Sequence, residues 1–95
     1  MAAPGDVAYF AAMLERLYQR LPYSVTSWWR TITRNAAVGG HPKSRHLDGL
    51  GVDAEPGPTH TTGELLAEAK KLGLHGVDEG DHVHLQLYAV GEDRA

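Results

Sequence analysis

The sequence predicts an α+β domain, a small, mainly antiparallel sheet with two helices on one face, and three observations predict it. Residues 7–21 and 65–72 repeat apolar side chains at helical spacing. Residues 23–31 and 82–90 carry strand-type side chains, the second stretch in strict alternation. A chain of 95 residues has room for one core, hence a single domain over residues 1–95.

The first helix starts at Pro4, Gly5 and Asp6, with Asp6 as N-cap. Val7, Phe10, Ala11, Leu14, Leu17, Tyr18 and Leu21 form its apolar stripe, Glu15, Arg16, Gln19 and Arg20 its solvent face, and Pro22 ends it. Residues 23–31, YSVTSWWRT, read as the first strand. Neighbouring residues in a strand face opposite ways, so Trp28 and Trp29 separate, and at least one of them lines a cleft or packs under a loop. The stretch RNAAVGGHPK reads as a tight loop.

Residues 50–53 form a short buried strand that the PGP at 56–58 breaks off. Thr61 and Glu64 fit a capping box, and Leu65, Leu66, Ala69 and Leu72 give a second helix closed by Gly73. Gly76, Asp78, Glu79 and Gly80 read as a turn. In the last strand Val83, Leu85, Leu87 and Ala89 form an apolar back, and His82, His84, Gln86 and Tyr88 a polar front.

Composition narrows the chemistry. Without cysteine there is neither a disulfide nor a thiolate site, so any metal is held by His, Asp or Glu. The net charge of −3 argues against nucleic acid as a partner. Asp6 and Glu15 interrupt what would be the apolar run of a signal peptide, and no stretch is long enough to span a membrane, so a soluble chain is expected. Charge is uneven: residues 1–45 hold six Lys or Arg against two acids, and residues 46–95 hold three against ten. The halves therefore suggest an anion-binding side and a metal-binding side.

His46, Asp53 and His84 supply the three ligands that a catalytic zinc takes while leaving a fourth position open for water. Gly49 and Gly51 let the backbone turn between the first two. His84 comes from the polar front of a strand. Asp81, three residues earlier, is placed to reach a water on that ion. His82 shares the polar front and is open to three readings: a ligand in place of His84, a substrate contact, or a neighbour in the shell behind the ligands, the last preferred. His41, His60 and His75 read as ordinary surface histidines.

The stretch SRHLDGLGVD, residues 44–53, resembles the S-x-H-x-x-G-x-A-x-D signature of the D-alanyl-D-alanine carboxypeptidase-like zinc metallopeptidases. That family includes carboxypeptidases, D-Ala-D-Ala dipeptidases and phage L-alanyl-D-glutamate endolysins, and it shares its fold with the hedgehog signalling domain. SWWRTITRNAAVGG resembles the family's strand-Arg segment followed by N-x-x-x-G-G, and DHVHLQL its final (D/E)-x-x-H strand. The resemblance runs from about Ser27 to Leu87. Gly51 stands where the family usually has Ala, and only residues 54–83 separate the second and third ligands, which leaves out the insertions that shape the cleft in larger members.

The resemblance implies one zinc ion on His46, Asp53 and His84, with Asp81 as general base. It also implies Arg30 on a substrate carboxylate or carbonyl and Ser44 near the same end, a task suited to the planar fork of an arginine. The implied activity is hydrolysis of an amide bond in peptidoglycan stem peptides, of D-Ala-D-Ala carboxypeptidase or L-Ala-D-Glu endopeptidase type, by a monomer whose zinc cleft lies on the sheet face away from the helices. The missing signal peptide leans toward a phage lysis enzyme that reaches the wall from the host cytoplasm through a partner's release. The alternative is a non-catalytic zinc module of hedgehog type that binds a protein or a wall fragment.

Overall fold

The computed structural model describes residues 4–29, 31–40, 45–46 and 48–87. In chain order they form α1 (Pro4–Arg20), β1 (Tyr23–Ser27), α2 (Ile32–Ala37), β2 (Gly51–Pro56), α3 (Thr62–Lys71), β3 (His75–Asp78) and β4 (Val83–Gln86). The four strands make one sheet in the order β1-β2-β4-β3, every neighbouring pair antiparallel. This is the expected α+β architecture with one helix and one strand more than the sequence suggested.

The apolar stripes explain the layers. Phe10, Leu14 and Leu17 of α1 and Leu65 and Ala69 of α3 are buried in one cluster with Val52 and Ala54 of β2 and Val83 and Leu85 of β4. Strand residues alternate between faces, so the residues between these, Asp53 and His84, belong to the opposite face of the sheet. Burying a Leu or Phe side chain is worth about 1.5–3 kcal/mol, so this helix-covered face is what holds the sheet flat against α1 and α3. Tyr23 ties the two layers together: its hydroxyl donates to the Leu14 carbonyl at 2.6 Å.

Local details depart from the sequence reading in understandable ways. Helix α1 begins at Pro4, and Asp6 lies in its first turn instead of capping it. Proline suits a first helical position because it lacks the N–H that would go unpaired there. Strand β1 stops at Ser27, after a register shift between Val25 and Ser27, so Trp28, Trp29 and Thr31 are not strand. The expected loop after it contains α2, whose N-cap Thr31 accepts from the Arg34 amide through its hydroxyl.

Strand β2 runs on to Pro56, which pairs with Tyr23. The capping box on α3 is present in both directions, Glu64 N–H to Thr61 Oγ1 and Thr61 N–H to Glu64 Oε1. The expected turn around Gly76 is instead β3, a wholly exposed edge strand, and only Glu79–His82 turns. The final strand spans Val83–Gln86; its expected continuation through Tyr88 to Val90 lies outside the described residues. Among the described residues no helix is long and apolar enough to cross a membrane.

Candidate metal centre

Asp53 and His84 are register partners across β2 and β4, which fixes both side chains on the same face of the sheet. His46 arrives from the loop before β2. Asp48 holds that loop closed: its carboxylate accepts from the Leu50 amide at 3.2 Å and pairs with Arg45 at 3.1 Å, while the Leu50 amide also donates to the Arg45 carbonyl. Gly49 makes the turn with φ of +76°, and Trp29 lies so close that a Cβ there would fall 2.3 Å from its ring. Only glycine meets both demands. Gly51 answers a different need, space: a Cβ would come within 2.8 Å of Arg45 Cβ and 3.0 Å of His84 Cε1.

The tryptophans go separate ways although both lie beyond the end of β1, so strand alternation is not the reason. Trp28 sets its ring edge-on to Phe10 at 6.0 Å, and its indole N–H donates to the Gly49 carbonyl at 2.9 Å. Trp29 is 61% exposed. The Trp28 carbonyl also accepts from His46 Nδ1–H at 2.6 Å. One residue therefore fixes both the loop and the imidazole carried on it.

Three imidazoles converge on one oxygen. Asp53 Oδ1 lies 3.1 Å from His46 Nε2, 3.4 Å from His84 Nδ1 and 3.7 Å from His82 Nε2. In each ring the other nitrogen is committed as a donor: His46 Nδ1–H to the Trp28 carbonyl, His84 Nε2–H to Gln86 Oε1 at 2.9 Å, and His82 Nδ1–H to Asp81 Oδ1 at 2.6 Å. Three ring nitrogens thus face one carboxylate oxygen. Outer N–H groups anchored in this way are what orient metal-ligating histidines.

One ligand atom each from His46, Asp53 and His84 lies within 4.8 Å of the others, with His46 buried and its partners half-buried. Two imidazole nitrogens and a carboxylate oxygen are a donor set suited to zinc. The described geometry thus fits a metal ion. A second set, Asp53, Glu79 and His82, meets the same distance condition.

Asp81 stands outside both sets; its side chain is 89% exposed and is held by His82. Partial burial works against charge on His82, but the hydrogen bond to Asp81 and the charges of Asp53 and Glu79 together raise it above the usual histidine range. Arg30 and Ser44 lie outside the described residues, as does His41. His60 sits 3.8 Å from Glu64 on the α3 cap, and His75 is exposed on β3; neither approaches the centre as a ligand.

Glu79 and Gln86 were missed as candidates. Gln86 was recoverable, since it lies two residues from His84 on the same face. For Glu79 the sequence signal is its spacing of three from His82 across a glycine turn. A shallow groove between α3 and β3, lined by Leu66, Lys70, Leu74 and His75, shares no residue with either set.

The family model for peptidase M15 matches residues 3–86, from before the first helix to the end of β4. No curated protein and no solved structure matches the chain.

Proposed function

The chain belongs to the peptidase M15 family, and from that premise we propose that it is a zinc-dependent peptidase cleaving an amide bond in peptidoglycan stem peptides. The observation that carries the reading is the convergence of His46 Nε2, Asp53 Oδ1 and His84 Nδ1, with the opposite nitrogen of each ring tied down as a donor. His46, Asp53 and His84 are the residues that would hold the ion. When bound, zinc supplies Lewis acidity, polarising a carbonyl and making water a nucleophile near neutral pH.

The chain's own groups do the rest. Asp81 takes the proton of the attacking water on a carboxylate oxygen and delivers it to the leaving amine. His82 orients that carboxylate through its Nδ1–H and joins it to Asp53, whose Oδ1 is 3.7 Å from His82 Nε2. Arg30 pairs with an anionic end of the peptide and Ser44 hydrogen-bonds near it. His46 is 2% exposed and its Nδ1–H is held by the Trp28 carbonyl, while Asp53 and His84 are half-buried.

The test is digestion of purified peptidoglycan by the zinc-loaded protein, with the new termini read by mass spectrometry. New D-Ala carboxyl termini support the carboxypeptidase form, and new D-Glu amino termini the endopeptidase form. Intact stem peptides under full zinc loading would rule the proposal out and leave a binding module.

A further inference from the structure

We propose that Asp53, Glu79 and His82 form a second divalent-cation site on the outer side of the metal centre, sharing the Asp53 carboxylate with it. His82 Nε2 lies 3.0 Å from Glu79 Oε1 and 3.7 Å from Asp53 Oδ1, and one ligand atom from each residue falls within 4.8 Å of the others. The Nδ1–H of His82 is spent on Asp81 at 2.6 Å. Its Nε2 therefore faces two carboxylate oxygens, where His46 and His84 each face the one oxygen of Asp53.

The ligands are held before any ion arrives. The Glu79 amide donates to the His82 carbonyl at 2.9 Å, closing the β3–β4 turn, and Gly80 at φ of +95° donates to Asp78 Oδ1. Glu79 and His82 thus project from the two sides of one hairpin mouth. An imidazole with two carboxylates suits a borderline divalent cation such as Zn²⁺. Two-metal hydrolytic sites place their ions about 3.5–4 Å apart, within the span of a shared carboxylate.

Exposure sets the order of filling. The Glu79 and His82 side chains are 45% and 28% exposed, against 3% for His46. The outer ion is the weaker one because water competes for its ligands. The proposal does not depend on hydrolysis and touches the inner set only through Asp53.

The test is titration of the chelator-stripped protein with zinc chloride alone, followed by calorimetry and by metal analysis after dialysis. The expected result is two zinc ions on the parent, the second more weakly held, and one ion on Glu79→Gln and on His82→Ala. Glu79→Gln keeps the side chain's shape on an exposed turn, and far-UV circular dichroism confirms that each variant is folded. Saturation of the parent at one ion that survives both substitutions would overturn the proposal, a proton on His82 then balancing the two carboxylates. A second ion that survives both would also overturn it, since it would sit on other surface histidines. An ion lost from Glu79→Gln but kept by His46→Ala upholds this site and removes the inner one, so the two assignments fail separately.

Discussion

Asp53 and His84 face each other across β2 and β4 as register partners, and Asp53 Oδ1 lies 3.4 Å from His84 Nδ1. Two of the candidate ligands are thereby fixed by backbone hydrogen bonds instead of by loop conformation. The third, His46, depends on the loop that Asp48 and Trp28 hold.

This division predicts how metal and fold are linked. An ion that binds only the folded chain adds about 2.7 kcal/mol at a hundred times its Kd. For a domain of this size that is roughly a 10–20 °C rise in Tm. His46→Ala and His84→Ala should lose most of that rise while the stripped proteins melt closer together. Differential scanning calorimetry with and without zinc checks it; an equal zinc-dependent rise in His84→Ala would contradict the ligand set.

Trp28→Phe keeps the ring packed on Phe10 and deletes the indole N–H that reaches Gly49. The expected cost is about 1 kcal/mol from the hydrogen bond. Zinc affinity should also fall, by less than about tenfold, because the Trp28 carbonyl that accepts from His46 is kept and only the loop loosens. Competition with a chromogenic chelator reads the affinity, and an unchanged value would show that the loop holds His46 without this bond.

Gly51→Ala would install the residue that the resembling family usually carries. Here a Cβ would meet Arg45 and His84 at 2.8 and 3.0 Å. Overpacking of this kind costs about 1–3 kcal/mol. Because the displaced ring belongs to the candidate ligand set, zinc affinity should weaken together with stability. Urea unfolding with parallel metal titration tests the pairing.

These cases show what could be read from the residues. The stripes of α1 and α3 and the Thr61–Glu64 box were legible because helix period and capping chemistry are local. Strand β3 was hidden because HGVD buries nothing, so it carries no alternation; its place comes from pairing with β4. The six residues of α2 are too few to show an apolar period. That His46, Asp53 and His84 come together was legible from residue type and spacing. The donors that orient it were not, since Trp28 acts through its backbone carbonyl and no side-chain pattern announces that.

Tyr23 makes the alkaline limit of stability predictable. Burial, and then the charge of Glu15, pushes its phenol from 10.0 up to about 12. Between those values the unfolded chain binds fewer protons than the folded one, so stability falls as pH rises. The contribution is whole below pH 10 and is lost as pH rises through about 12. Tyr23→Phe should flatten this limb while costing about 1 kcal/mol at neutral pH through the lost bond to Leu14. Urea midpoints across the alkaline range measure both, and parallel limbs in parent and variant would contradict the assignment.

The most direct measurement of the central claim is the rate of stem-peptide cleavage by Asp81→Ala at full zinc loading, compared with the parent. Asp81 is exposed and lies outside both ligand sets, so zinc content and Tm should match the parent while the rate falls about 100-fold or more. A variant that cleaves as fast as the parent would contradict Asp81 as the base, and stem peptides left intact by the zinc-loaded parent would contradict the hydrolytic account of this centre.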